Sequence, residues 1–186
     1  ANLARARRVL DVGSGTGAVT EELATRTDGQ VIGIDIDPEA VAFARSRQGR
    51  ADYRLGDAHG LPFGGGLFDI TVCHFVLLWC RDPDRAAAEM LRVTRPGGAV
   101  LVCAEPDYGG RIDYPDLPLG RWQAEALRGE GADPLLGRKL RALFGGRGQM
   151  GIIPGLWSLD ALRAEFYNVW GRGEGTLSGF LPADDL

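Results

Sequence analysis

Val9-Leu10-Asp11-Val12-Gly13-Ser14-Gly15-Thr16-Gly17 decides the fold of this chain. Val9, Leu10 and Val12 are strand formers, and the run reads as a buried strand. Three glycines at alternate positions then let the backbone turn tightly and admit a ligand close to the main chain. Residues 18–26 follow as a helix, whose first N–H groups point back at the turn. Open α/β sheets hold their ligands at such turns, outside the carboxyl ends of the strands. The expected fold is α/β: a Rossmann-like, doubly wound, mostly parallel sheet with helices on both faces.

The glycine spacing is informative. The dinucleotide fingerprint is G-x-G-x-x-G, whereas this chain has Gly13-x-Gly15-x-Gly17 preceded by Asp11. A glycine-rich turn that binds nothing is the alternative reading. A second strand over 30–36 contains Asp35, 18 residues after Gly17. An acid about 20 residues beyond such a loop can accept both hydroxyl hydrogens of a ribose. Capping the next helix is the competing role. Asp37-Pro38 already supplies an N-cap and a first-turn proline, which favours ribose binding for Asp35. The helix over 39–47 carries Ala40, Phe43 and Ala44 on one face. A short strand over 51–55 leads to Asp57, and residues 59–67 form a loop. A fourth strand begins at Phe68. Asp82-Pro83 caps a helix with the stripe Ala86, Met90, Val93. Arg95-Pro96-Gly97-Gly98 ends that helix, and a fifth strand runs over 99–104.

At 186 residues the chain suffices for one domain with a real core. We read residues 8–106 as its core and 107–186 as acceptor-side and C-terminal helices. In the second part, Leu119, Trp122 and Ala126 share a helical face. Asp133-Pro134 caps a further helix with Leu136, Leu140 and Leu143, on which Arg138, Lys139 and Arg141 form a solvated face. A sixth strand is expected over 151–157, then an amphipathic helix with Leu159, Leu162, Phe166 and Val169. A net charge of −4 argues against a phosphate-backbone binder and so against nucleic acid. Cys73, Cys80 and Cys103 are an odd set without C-x-x-C. They read as small residues in a reducing, cytoplasmic compartment, with Cys73 and Cys103 in buried strands, and not as metal ligands. No apolar run approaches the length of a membrane span.

Leu10-Asp11-Val12-Gly13-Ser14-Gly15-Thr16-Gly17 resembles the first motif of class I S-adenosylmethionine (SAM)-dependent methyltransferases. The resemblance continues through Asp35, Gly56-Asp57-Ala58, Phe68-Asp69 and Arg95-Pro96-Gly97-Gly98. It implies SAM as cofactor, held by Asp11, Gly13, Ser14, Gly15, Thr16, Gly17, Asp35, Ile36, Asp57, Ala58, Cys73 and His74. In the family the acid at Asp57 accepts from the adenine amine. A carboxylate offers nothing to a keto group in its place. An Asx-turn acid is the alternative for Asp57. The family's N-terminal helical lid and its antiparallel seventh strand are not found, which implies shortening at both ends.

Nucleic-acid and protein methyltransferases often carry N-P-P-Y or D-P-P-Y after the fourth strand, or Pro-Cys where a thiolate attacks cytosine. This chain has Cys73-His74-Phe75-Val76 instead. The acceptor is therefore expected to be a small molecule. His74, Asp107 and Tyr108 are the candidate catalytic residues, and Trp79, Glu105 and Arg111 the candidate substrate contacts. Methyl transfer from a sulfonium needs in-line positioning, and a base only if the nucleophile arrives protonated. A nicotinamide-dependent oxidoreductase and a non-catalytic SAM-binding module are the alternatives. The oligomeric state is not legible.

Overall fold

The computed structural model describes residues 2–112, 118–146 and 148–149. The strand expected over 151–157, the helix of Leu159, Leu162, Phe166 and Val169, and the tail lie outside the described residues. Five strands form one parallel sheet in the order β3-β2-β1-β4-β5, with β1 Arg8–Val12, β2 Gln30–Asp35, β3 Asp52–Leu55, β4 Phe68–His74 and β5 Thr94–Cys103. The order reverses at β1, which pairs with both β2 and β4. This is the switch point at which parallel sheets open a crevice.

Alternation along the strands builds a core on each face. Leu10, Val12, Ile32, Ile34 and Phe68 pack with Ala86, Met90 and Val93 of helix α3 (Pro83–Val93). Val9, Val31, Ile70 and Val72 pack on the other face with Ala24 of helix α1 (Ala18–Thr25). The caps fall where the sequence sets them. Asp37 accepts from the Glu39 N–H at the start of α2 (Pro38–Ser46), and Asp82 from the Arg85 N–H at the start of α3.

Several expectations need correction. On α2 the buried residues are Val41 and Ala44, while Phe43 is exposed. Strand β5 starts at Thr94, not at residue 99. Thr94 pairs with Phe68, residues 95–98 bulge, and Ala99 then pairs with Ile70. Asp69 anchors the bulge by accepting from Arg95 Nε at 2.6 Å, and it also accepts from the Arg7 and Arg8 N–H groups. A Cβ on Gly98 would lie 2.6 Å from the Asp69 carbonyl oxygen. Cys73 is buried, but Cys103 is exposed. Among the described residues no strand pairs beyond β5.

In helix α4 (Leu119–Gly129) the buried residues are Gly120 and Ala124, and Leu127 packs against the main core. Leu119 is exposed. The helix expected after Asp133-Pro134 is a 3-10 turn, Leu136–Lys139, followed by the single turn α5, Leu140–Leu143. Asp133 caps Leu135 in an Asx turn, and the Gly137 N–H is drawn away to the Pro106 carbonyl. Arg138 and Lys139 form ion pairs with Asp107 and Asp133, so two of the three expected solvated cations are tied down.

Candidate functional site

The glycine turn adopts the backbone its sequence demands. Gly13, Gly15 and Gly17 all have positive φ, at 74°, 50° and 88°. Their surroundings differ. A Cβ on Gly13 would lie 2.3 Å from Val76 Cγ2, and one on Gly17 would lie 2.4 Å from the Tyr53 hydroxyl. A Cβ on Gly15 would meet nothing within 4 Å. Two glycines therefore serve packing, and Gly15 presents open backbone. The Gly13 and Ser14 N–H groups donate to the Ile34 carbonyl, locking the turn to β2. Thr16 is exposed on the turn.

Asp11 is 1% exposed. Its Oδ2 accepts from the Thr20 hydroxyl at 2.7 Å, while Oδ1 has no partner among the described residues. Burial pushes its carboxyl up to about 6; the Thr20 hydrogen bond opposes the rise, and the Asp35 charge adds to it. Ser14 Oγ is the second buried polar atom left without a partner. Such orphans are costly unless a ligand or water completes them.

Asp35 stands at the exit of β2. One oxygen accepts from the Gly15 N–H at 2.7 Å and the other from the Asp37 N–H at 2.9 Å. Each retains a second acceptor position. Ile36, next in sequence, is 68% exposed. Asp57, at the exit of β3, forms the Asx turn weighed above: Oδ1 accepts from the His59 N–H at 2.8 Å and meets His59 Nδ1 at 2.6 Å. These His59 contacts hold its carboxyl below the usual range. Its Oδ2 has no hydrogen bond among the described residues, so the turn does not consume the group. Ala58 packs against the main core.

The exits of β4 and β5 are built differently. The Cys73 side chain lies wholly in the core, and burial pushes its thiol well up, so it offers a ligand only its backbone. His74 is exposed, and its ring makes no hydrogen bond among the described residues. Phe75 and Ala104, which follow the paired residues His74 and Cys103, both sit at φ 59°. For a bulky residue such as Phe75 this is a strained conformation, of the kind that clusters at functional sites. Phe75 stacks edge to face on Trp79, with ring centroids 6.4 Å apart, and Trp79 is 42% exposed.

The two acids expected as substrate-side groups are engaged. Glu105 accepts from the Val76, Leu77 and Leu78 N–H groups at 2.8, 2.8 and 3.1 Å, capping the 3-10 turn Leu77–Trp79. Burial raises its carboxyl and these three donors counter the rise. It thereby holds the loop that carries Val76 against Gly13. Asp107 forms a bidentate pair with Arg138, at 2.7 to 3.0 Å, and that pairing lowers its carboxyl. It is therefore not poised as a base. Tyr108 is half-buried, which raises its phenol, and its N–H donates to the Pro134 carbonyl. Arg111 donates to Gln123. Thr20, His59 and Tyr53 are not singled out by the sequence, and Arg138 is read there only as part of a solvated face. Only His59 left a local signal, two residues after an acid at a strand exit.

A family model described as "Methyltransferase domain" matches residues 10–102. An uncharacterized methyltransferase of Schizosaccharomyces pombe is 35% identical over 152 residues, 72% of this chain and 53% of that protein. A demethylmenaquinone methyltransferase of Renibacterium salmoninarum is 37% identical over 105 residues, 55% of this chain and 44% of that protein. Among solved structures, the YcgJ protein of Bacillus subtilis superposes with a TM-score of 0.62 at 24% identity, over 76% of this chain and 62% of that one, a likeness of fold. The matched stretch spans 19–53% of the length of the first curated relatives.

Proposed function

The chain belongs to the class I, SAM-dependent methyltransferase-domain family, and from that premise we propose that it transfers a methyl group from SAM to a neutral small-molecule acceptor. The observation that carries this reading is the set of unfilled acceptors around an open glycine. Asp11 Oδ1 and Ser14 Oγ lack partners, Asp35 has a spare position on each oxygen, and Gly15 faces open space. A ligand suited to this corner is rich in donors. SAM offers an ammonium group, two ribose hydroxyls and an adenine amine. A dinucleotide would bring a pyrophosphate toward the glycine turn and Asp11, where charges repel. This disfavours the oxidoreductase alternative.

In this reading Asp11, Ser14 and Gly15 receive the amino-acid end, Asp35 the ribose, and Asp57 with the Ala58 N–H the adenine. Gly13, Thr16, Gly17 and Ile36 complete the surround, and Cys73 contributes backbone only. Bound there, SAM supplies a methyl group activated by its sulfonium charge. The chain's own work is to position the acceptor and exclude water. His74, exposed at the exit of β4 with no hydrogen bond to its ring among the described residues, is the base for an acceptor that arrives protonated.

The acceptor-side wall supports a neutral substrate. Glu105 and Asp107 are occupied internally, and what is left exposed includes the aromatic face of Trp79. The relative named for demethylmenaquinone accords with an acceptor that is not a nucleic acid. The net charge of −4 speaks against nucleic acid. No described helix is long and apolar enough to cross a membrane. The three free thiols fit the cytoplasm.

Equilibrium binding of tritiated SAM, with NAD as competitor, tests the cofactor. Wild type should bind SAM and ignore NAD, and Asp35→Ala should weaken SAM by about 100-fold. Transfer to a panel of phenols and quinols, with RNA as the contrasting acceptor, tests the substrate class. Preferential methylation of RNA, or NAD displacing SAM, would overturn the proposal.

A further inference from the structure

We propose that His59 is a positioning residue for adenine recognition: its ring holds Asp57 Oδ1, leaving Oδ2 as the oxygen that meets the adenine amine. The inference rests on the reading of Asp57 given above.

His59 lies in the 3-10 turn Ala58–Gly60, between the exit of β3 and the start of α3. Its Nδ1 is 2.6 Å from Asp57 Oδ1. The Asp82 N–H donates to its Nε2 at 3.3 Å. A backbone N–H can only donate, so Nε2 carries the lone pair. The neutral ring then bears its proton on Nδ1 and donates it to Asp57. The tautomer is assigned by that backbone partner. The result is a directional, charge-assisted hydrogen bond that adds to the His59 backbone N–H already held by the same oxygen, fixing the carboxylate from two sides.

The ring is itself held. Arg85 Nε donates to the His59 carbonyl at 2.6 Å, and the Asp82 carboxylate caps α3. That helix is anchored by Ala86, Met90 and Val93, all fully buried. The His59 side chain is 20% exposed and that of Asp57 46%. The orienting group is thus fixed and sheltered, while the group it orients is open to a ligand. This is the usual relation between a recognition residue and its support.

Calorimetry with S-adenosylhomocysteine and with S-inosylhomocysteine tests the proposal, because the second carries a keto group where the first carries the amine. Wild type should prefer the adenosyl compound. His59→Ala should weaken it about ten-fold while leaving the inosyl compound within about two-fold. His59→Asn, whose amide N–H can stand in for Nδ1, should recover most of the loss. In an Asp57→Ala background His59→Ala should add nothing. Equal losses on both compounds would reduce His59 to a structural residue, and so would failure of His59→Asn to rescue. Unchanged adenosyl affinity in His59→Ala, with Asp57→Ala impaired, would refute the role of His59 alone. Normal adenosyl affinity in Asp57→Ala would overturn the underlying assignment as well.

Discussion

Asp35 and Glu105 stand at equivalent places, each just where a parallel strand delivers its chain to the ligand side of the sheet, yet they do opposite things. Asp35 accepts one backbone N–H on each oxygen and keeps room for more. Glu105 closes on three consecutive N–H groups of the facing loop. The same division runs through the two halves of the sheet. Around β1, β2 and β3, polar groups are left incomplete: Asp11 Oδ1, Ser14 Oγ, one oxygen of Asp57. Around β4 and β5 the acids are consumed by the protein. One half keeps polar acceptors unfilled among the described residues. The other is a closed scaffold that exposes an aromatic surface. A carboxylate at a strand exit is thus not a ligand by position alone; the donors nearby decide.

The strongest challenge to this division is a pair of glycine variants. Gly13→Val puts a branched side chain at φ 74°, where Cβ already lies 2.3 Å from Val76. It should cost about 4 kcal/mol or more of stability, measured by denaturant unfolding. Gly15→Ala meets no neighbour and should cost only about 1 kcal/mol of backbone strain. It should nevertheless weaken SAM at least ten-fold, because the methyl group enters the open cradle. Equal destabilisation by the two, or normal SAM binding by Gly15→Ala, would erase the distinction between packing and cradle glycines.

Asp11 sharpens the comparison through pH. Its folded carboxyl holds a proton up to about pH 6, against 3.8 for the ordinary group. The folded state therefore binds more protons between those values. The stability this group contributes is full below about pH 3.8 and is lost as pH rises through about 6. Asp11→Asn should accordingly stabilise the ligand-free protein near pH 8, by about 3 kcal/mol, and lose that advantage near pH 4. Thermal melts across pH read this directly. SAM affinity should move the other way. The charged carboxylate is the form that pairs with an ammonium group, so wild-type affinity should rise through about pH 6, and Asp11→Asn should abolish that rise. A flat wild-type profile would remove Asp11 from the cofactor site.

The smallest effect is expected at Asp107. Its pair with Arg138 is a surface ion pair, a kind that contributes little. Asp107→Asn should leave kcat/KM for the acceptor within about two-fold. A loss of ten-fold or more would return Asp107 to the catalytic machinery and break the picture of a closed acceptor-side scaffold.

The residues that identified the fold are contiguous. Val9 to Gly17 state a strand and a turn in one run, Asp37-Pro38 and Asp82-Pro83 state two helix starts, and Ala86, Met90 and Val93 state a buried stripe. Each reflects a backbone or periodicity requirement satisfied within a few residues, and each is realised in the structure. Local pattern misled where burial depends on what lies opposite. Phe43 and Leu119 are apolar and well spaced, yet they face outward because Val41, Ala44 and Ala124 supply the close contacts.

By itself, then, the sequence determined the parallel α/β plan, the glycine turn and the acids at the strand exits, because short-range sterics and capping fix those features. Only the tertiary structure decided which acids are available. Thr20 reaches Asp11, Val76 to Leu78 reach Glu105, and Arg138 reaches Asp107, the last two from 27 to 31 residues away along the chain. A carboxylate's chemistry is set by the donors within about 3 Å of it. Outside the local turns those donors are brought in by the packing of separate elements, which no single stretch of sequence specifies.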